Sequence, residues 1–205
     1  MKATPSSCMK HKGKTNPPGR QKIIEALTRL MWTNDFQSVT TAEIAESAGV
    51  TEGLIYKYFN SKKDLLYQVL DDLFAQFNET ILERIAGKSS AIEKLEVIIC
   101  SSIEYYTANR VFARILLLEV RNSQEYFNSE AYKRVRAYAH NILEIISEGI
   151  GSGEIKPDAD PQILRKIILG AIEHACVGEI IFSRDLDAPS VTQSISTIIF
   201  NGAKA

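Results

Sequence analysis

The sequence predicts an all-α protein of about nine helices, with a small N-terminal helix-turn-helix domain followed by a larger helical domain. Two observations carry this prediction. The apolar residues of every long segment recur at the three- and four-residue spacing of a helix, and no segment alternates convincingly as a strand does. At three of the predicted helix starts, Ser or Thr also stands three residues before Asp or Glu, which is the spacing of a capping box.

Residues 1–19 precede the first helical pattern. They contain three of the six prolines and no periodic apolar residues, so we expect a disordered basic tail. Ile23, Leu27 and Leu30 then form one apolar stripe. This stripe predicts a first helix over about residues 20–33.

The segment TTAEIAESAGVTEGLIYKYF has the pattern of a helix-turn-helix. Thr40 opens a short second helix that ends at Gly49. Thr51 opens a third helix that runs through Phe59. Ala45 is small where the two helices would cross, and Gly49 reaches positive φ in the turn without steric cost. These features in register predict two short helices at a steep angle.

The rest of the chain predicts longer helices that pack as one body. The first of them opens at Ser61 and carries apolar residues at helical spacing as far as Ile81. The others are expected over about residues 91–108, 110–121, 129–149, 161–182 and 190–203.

Composition excludes several classes of protein. With 45% hydrophobic and 24% charged residues, the 205-residue chain can bury a core of ordinary size. It has no apolar run approaching the roughly 18 residues of a membrane span, and no secretory signal. Three widely spaced cysteines indicate neither a disulfide framework nor a metal site, so we expect a reduced cytoplasmic location, no membrane association, no metal and no cofactor.

The net charge of −1 hides an asymmetry along the chain. Residues 1–63 hold 10 Lys and Arg against 5 Asp and Glu, whereas the remainder holds 14 against 20. A basic front end on an acidic body indicates that only one end of the molecule meets a polyanion.

The run Tyr56-Lys57-Tyr58-Phe59, followed by the Ser61-Lys62 pair that opens the next helix, resembles the signature of the TetR family of transcriptional regulators. The resemblance implies a DNA-binding domain over residues 20–65 and a ligand-binding and dimerisation domain over residues 66–205. It also implies a homodimer joined through the last two helices. Such a dimer places two reading heads on double-stranded DNA at a palindromic operator, usually as a repressor.

The family's DNA contacts carry over to the following residues: Thr41, Thr51, Glu52, Gly53, Leu54, Tyr56, Lys57, Tyr58 and Lys62. Hydroxyl groups, helix N-termini and lysines suit phosphates, so Thr41, Tyr56 and Lys62 are expected on the DNA backbone. Lys57 suits either a phosphate or a base, and we favour a phosphate.

Glu52 and Leu54 depart from the family's commoner choices. A glutamate can accept a hydrogen bond from cytosine, and a leucine can pack on a thymine methyl group, so both are expected to read bases in the groove. Tyr58 has a second interpretation as part of the core. Lys62 and Lys63 lie at a helix start, where the helix dipole disfavours cations, and this favours an external anion beside them.

The segments LLLEVRNSQEYF and ILEIISEGIGSGEIKPDADPQILRKIILGAIEH resemble the TetR subgroup that controls fatty-acid degradation and responds to long-chain acyl-CoA. This resemblance implies a hydrophobic or acyl-CoA-like effector. Its acyl chain would lie in a tunnel lined by Ile, Leu and Phe. Arg114 or Arg121 would meet the CoA phosphates.

Glu119 and His174 complete the candidate ligand-binding residues. Glu119 shares a helical face with Phe112 and Leu116, so its carboxylate is expected in an apolar interior where it needs a partner. That partner is either the ligand or an internal cation such as Arg114, Arg121 or His174. His174 is also compatible with a place in the core or at the dimer interface.

The dimer is expected to form through Ile163, Ile167, Ile195 and Ile199, some of which must instead face the subunit's own core.

Two other classes of function compete with the regulator. A small helical enzyme is disfavoured because the string GIGSG follows a helix rather than a strand and contains no nucleophile elbow. An architectural protein that binds DNA of any sequence is disfavoured by the acidic body.

Overall fold

The computed structural model describes residues 17–182 and 184–203, and within these ranges it contains nine α-helices and no strand. The helices are α1 (Pro18–Leu30), α2 (Thr41–Ala48), α3 (Glu52–Tyr58), α4 (Lys62–Ile85), α5 (Ala91–Ala108), α6 (Arg110–Arg114), α7 (Glu130–Gly151), α8 (Pro161–Phe182) and α9 (Ala188–Ala203). The predicted all-α class is confirmed. Most of the predicted tail, residues 1–16, lies outside the described residues.

Side-chain capping hydrogen bonds form at several of the predicted helix starts. The Thr40 hydroxyl accepts a hydrogen bond from the Glu43 backbone N–H, while the Glu43 carboxylate accepts one from the Thr40 backbone N–H at 2.7 Å. At the starts of α4 and α5, the Ser61 and Ser90 hydroxyls accept hydrogen bonds from the backbone N–H groups of Asp64 and Glu93. Thr51 stands at the start of α3, but its side chain makes no capping hydrogen bond.

The predicted helix over residues 110–121 is divided in the structure. Helix α6 ends at Arg114, and the chain continues as a π-helical turn, Ile115–Glu119, before a separate 3-10 turn over Tyr126–Asn128. A π-helical turn widens the backbone by one residue per turn and occurs frequently at functional sites.

Helices α1, α2 and α3 form the head of the molecule. Their shared core contains Ile23, Leu27, Ile44 and Ile55, all fully buried. Gly49 ends α2 with φ of 65°, which confirms the positive φ expected from the sequence and explains why glycine stands there.

Helix α4 joins the head to the body without a break. The predicted domain boundary at residues 65 and 66 therefore falls inside a continuous helix. Within the body, α5 is central and packs against α4, α7, α8 and α9. The aromatic rings of Phe74, Phe77 and Phe112 pack together in the core beside it, with centroids 5.3–5.8 Å apart.

Two local features fix the far end of the body, where α7 meets the start of α5. A Cβ atom on Gly149 would lie 2.9 Å from the Ala91 Cβ and 2.8 Å from the Ile155 Cδ1, so the two helices approach closely because this residue is glycine. The Glu154 carboxylate accepts hydrogen bonds from the Ser90 hydroxyl and from the Ala91 backbone N–H. These hydrogen bonds lower the pKa of Glu154 from its ordinary 4.5 to about 2.

Candidate DNA-binding surface and ligand cavity

Helix α3 presents an exposed face that contains most of the predicted DNA contacts. Thr51, Glu52, Gly53, Tyr56 and Lys57 are all exposed, and Tyr56 is 56% accessible although it is a large aromatic residue. An exposed tyrosine beside a lysine on a short helix can place a hydroxyl and an ammonium group on one phosphate backbone.

Leu54 and Tyr58 lie on the opposite side of α3. Both are half-buried and contact Gly19 of α1, where a Cβ atom would lie 3.1 Å from the Leu54 side chain and 3.5 Å from the Tyr58 ring. This placement differs from the prediction that Leu54 reads a base, because the leucine helps to pack α3 on α1. For Tyr58 the structure agrees with the alternative interpretation as part of the core.

Thr41 and Glu52 bond to each other rather than projecting separately. The Thr41 hydroxyl donates to a Glu52 carboxylate oxygen at 2.8 Å and so ties the start of α2 to the start of α3. The carboxylate oxygen occupied in this way is less available to a base. We infer that Glu52 also fixes the angle between the two helices.

Lys62 has partners that the sequence did not reveal. Its ammonium group donates to the backbone oxygens of Phe36 at 2.9 Å and Val39 at 2.7 Å, with Gln37 at 3.4 Å, and it lies 4.5 Å from the centre of the Phe36 ring. Burial lowers the pKa of Lys62, against the opposing effect of Glu119. The structure thus gives the lysine internal partners, and a phosphate contact, which stays a prediction, would have to share or replace them.

The chain between α1 and α2, residues 31–40, is here termed the connector, and the body holds it directly. The Arg114 guanidinium donates to the Met31 backbone oxygen at 2.9 Å and to the Asp35 carboxylate at 2.7 Å. Trp32, the only tryptophan of the chain, projects from the connector beside these contacts and is 63% exposed.

Glu119 also contacts the connector rather than the body interior. Burial raises the pKa of this half-buried carboxyl group, although Arg114 and a backbone hydrogen bond from Phe36 act in the opposite direction. The structure therefore places Arg114 and Glu119 at the junction of head and body, away from the ligand cavity. Of the two predicted explanations for Glu119, it supports the internal one, with Arg114 as the nearby cation.

The body contains a cavity of about 310 Å³ between α4, α5, α7 and α8. Six of its twelve lining residues are aromatic: Phe74, Tyr106, Tyr126, Phe127, Tyr132 and Tyr138. Leu116 of the π-helical turn also lines it. The cavity opens beside Arg121 and Phe127, which are exposed, while Phe74, Tyr106 and Tyr138 are buried.

A single ion pair lies in the cavity wall. The Arg121 guanidinium bonds to the Glu173 carboxylate at 2.6 Å and donates from Nε to the Leu116 backbone oxygen at 3.3 Å. Arg121 is therefore the one predicted ligand residue that lines the cavity. His174, the neighbour of Glu173, is exposed on α8 and does not line it.

The sequence offered a weak signal for the missed cavity residues. Tyr105 and Tyr106 form a tyrosine pair near the end of helix α5, and only one of them lines the cavity. Glu173 stands next to the predicted His174, but the side of α8 that faces the cavity depends on how the helix packs. Across residues 17–182 and 184–203, no group of His, Cys, Asp or Glu is arranged to hold a metal ion.

Helices α8 and α9 carry an exposed apolar surface. Ile167 is 50% accessible and Ile198 is 77% accessible, and Ile163 is exposed to a similar extent. Ile195 is half-buried, whereas Ile199 is only 9% accessible and packs in the subunit's own core. Of the predicted set, Ile199 thus faces inward, and Ile198 lies on the outer surface instead.

No described helix combines the length and the apolar character that crossing a bilayer requires.

Two family descriptions together match almost all of the described chain. Residues 23–69 match the bacterial regulatory proteins of the tetR family, and residues 70–202 match the C-terminal region of YsiA-like proteins. The boundary between these matches lies within α4.

Individual relatives are similar to this chain over nearly its whole length. The fatty acid metabolism regulator protein of Bacillus subtilis (strain 168) is 28% identical over 189 residues, which cover 92% of this chain and 97% of the relative. The structure of FadR from Bacillus subtilis in complex with stearoyl-CoA is similar, with a TM-score of 0.80 at 28% identity over 89% of this chain and 98% of the other. FadR from Bacillus halodurans shares the fold, with a TM-score of 0.82 at 22% identity over 92% and 98% of the two chains.

Proposed function

This chain belongs to the TetR family of bacterial regulatory proteins, and from that premise we propose that it represses transcription at a palindromic operator until an acyl-CoA-like effector releases it. It is a DNA-binding transcriptional regulator and not an enzyme. The single observation that carries the proposal is that one chain combines an exposed face of α3 with a separate cavity in the body. The chain thus has both a surface for DNA and a site for a small molecule.

The DNA contacts that we propose are the exposed ones. Tyr56 and Lys57 hold the phosphate backbone, while Thr51 and Gly53 allow the start of α3 to approach the duplex closely. Glu52 faces the same surface but also accepts the Thr41 hydrogen bond, so it both orients α3 and accepts from a base.

The effector that we propose is an acyl thioester of coenzyme A in the body cavity. The Bacillus subtilis relative was crystallised with stearoyl-CoA, and its chain is similar to this one over nearly its whole length. The cavity of this protein has an apolar interior and a cationic side chain, Arg121, at its mouth. This arrangement suits a ligand with an apolar end and an anionic end.

A short path connects the cavity to the head. Leu116 lines the cavity, and Arg114 and Glu119, which flank it in the chain, hold the connector. A ligand that displaces Leu116 would therefore move the contacts that orient the head. By linkage, an effector that weakens DNA binding must itself bind less tightly to the DNA complex.

We further propose a homodimer through α8 and α9. Isolated exposed isoleucines are ordinary, but Ile163 and Ile167 lie one turn apart on α8, and Ile198 is exposed on the neighbouring α9. A two-fold axis through this surface would pair the two heads with the two halves of a palindrome.

The experiment that tests the proposal selects binding sites from random double-stranded DNA with the full chain and then titrates acyl-CoA thioesters into the complex. A palindromic consensus that is released by a thioester, but not by free CoA, is expected. Tyr56→Phe and Lys57→Gln should weaken binding, whereas Lys88→Gln, at the far end of the body, is the control. Equal competition by bulk DNA would instead identify an architectural protein.

A further inference from the structure

The walls of the cavity differ from those of an alkyl tunnel. The resemblance to the regulators of fatty-acid degradation led us to expect Ile, Leu and Phe, but four of the twelve lining residues are tyrosines and two are phenylalanines. The rings contact one another edge to face: Phe74 and Tyr138 lie 5.8 Å apart, and Phe127 and Tyr132 lie 5.1 Å apart. Such walls match another ring better than a flexible chain, since aromatic groups gain from specific mutual geometry.

The size of the cavity limits the acyl group. One benzene ring fits a cavity of about 150 Å³, so the roughly 310 Å³ found here accommodates about two rings. Two such rings contain about twelve carbons, so the same space holds a straight chain of about ten to twelve carbons. A stearoyl chain would need considerably more room.

The wall of the cavity contains a hydrogen-bond donor on the same side as Arg121, whose charge acts on it directly. Tyr106 is 4% accessible as a whole residue and lines the cavity, so its hydroxyl is a hydrogen-bond donor in the cavity wall. Burial raises the pKa of Tyr106 well above its usual value, with smaller contributions from Tyr138 and Glu173, so the hydroxyl remains protonated. A protonated hydroxyl in the wall of an otherwise largely apolar cavity favours a ligand with an acceptor oxygen.

We propose that the effector carries a compact, ring-bearing acyl group of about ten carbons or fewer, and that Tyr106 and Arg121 hold its carbonyl oxygen. This inference rests on the proposed function, in which the ligand is an acyl-CoA. The ring lies against Phe74 and Tyr138 at the closed end. The CoA portion leaves past Arg121 and Phe127, which are the exposed residues at the mouth.

The acyl preference is tested by isothermal titration of the full chain with four probes. These are 3-phenylpropanoyl-CoA, nonanoyl-CoA with the same number of acyl carbons, stearoyl-CoA and free 3-phenylpropanoic acid. We expect the ring-bearing thioester to bind about tenfold or more tighter than nonanoyl-CoA, and stearoyl-CoA to bind weakest of the three thioesters.

Two pairs of variants locate the acyl group. Tyr106→Phe removes only the hydroxyl in the cavity wall and should weaken binding of 3-phenylpropanoyl-CoA about tenfold. Tyr105→Phe on the same helix, whose hydroxyl donates to the Leu73 backbone oxygen and does not line the cavity, should leave it unchanged. Ala139→Phe fills the cavity, whereas Ala137→Phe on the exposed side of α7 does not, so only the former should abolish binding.

The results separate this inference from the proposed function. Tightest binding of stearoyl-CoA would overturn the compact acyl group and leave an acyl-CoA regulator. Failure of every thioester to bind would overturn the effector class itself. If the free acid binds as tightly as its thioester, CoA is not part of the effector, but the ring and carbonyl contacts stand provided that Tyr106→Phe weakens the acid equally. Unchanged affinity in both Tyr106→Phe and Ala139→Phe places the ligand elsewhere.

Discussion

At the scale of the residue, Lys62 and Glu154 are two charged side chains that hydrogen-bond to backbone groups of another segment. The TetR signature places Lys62 beside DNA, yet its ammonium group lies among three carbonyl oxygens of the connector. Glu154 terminates the turn after α7 and caps α5. Both groups brace one segment against another, and both can be tested by substitution.

We predict that Lys62→Met destabilises the head by about 1–3 kcal/mol, because buried carbonyl oxygens lose a charged donor. Lys63→Met on the exposed side of α4 is the matched control, and thermal unfolding compares the two. The slope of log affinity against log salt should remain that of the unaltered protein. If Lys62→Met instead leaves stability intact and flattens the slope by about 0.9 for each subunit, the lysine contacts a phosphate.

For Glu154, we predict a loss of stability in acid that this one carboxylate causes. Its pKa is 4.5 ordinarily and about 2 in the folded chain, so its contribution is complete above about pH 4.5 and disappears as the pH falls towards 2. Urea unfolding across this range should show a flatter pH dependence for Glu154→Gln than for the unaltered chain. Parallel curves would show that the cap contributes nothing.

At the scale of the element, the close approach of α7 to α5 depends on one glycine. Gly149→Ala should destabilise the protein by about 1–3 kcal/mol, because the new methyl group would overlap the Ala91 and Ile155 side chains. Gly151→Ala, two residues later in α7, has open space at the same Cβ position and serves as the control. Chemical denaturation measures the free energy of unfolding of both variants. Equal changes in the two would show that helix propensity, rather than packing against α5, determines the effect of the substitution.

The segment formed by α6 and the π-helical turn connects cavity and connector. We predict that Arg114→Gln reduces the coupling between effector and operator by about 0.5–2 kcal/mol, because the head loses its ion pair to the body. The coupling free energy is obtained from the logarithm of the ratio of the operator affinities measured with and without saturating effector. Arg110→Gln, which removes an ion pair to Asp185 within the body, is the control. An unchanged ratio in Arg114→Gln would show that another contact transmits the signal.

The accuracy of the sequence prediction differs between elements for physical reasons. Helices α5 and α8 begin and end at the predicted residues, because caps and prolines act locally. The division of α6 was not predicted, since a π-helical turn arises where the chain meets the connector and the cavity together. The cavity was missed for the same reason: its residues come from helices far apart in sequence, and no local pattern shows which side of each helix faces the gap.

At the scale of the whole molecule, the apolar surface on α8 and α9 predicts the assembly. We expect Ile167→Glu to raise the dimer dissociation constant at least about a hundredfold, because two carboxylates would lose water at one interface. Analytical ultracentrifugation measures this, and operator affinity should fall with it. Leu82→Glu introduces the same charge at an exposed apolar residue of α4 outside the surface. Dimers that survive Ile167→Glu at micromolar concentration would place the interface elsewhere.

The position of Trp32 gives the molecule an optical consequence. One indole in 205 residues stands on the connector, exposed to water and beside the Arg114 contacts that join head and body. The indole can be excited selectively, without exciting the tyrosines. The wavelength of its maximum emission depends on the polarity around the ring. A movement of the head against the body would therefore change the fluorescence of the native chain, so effector binding can be timed by stopped flow without an attached dye.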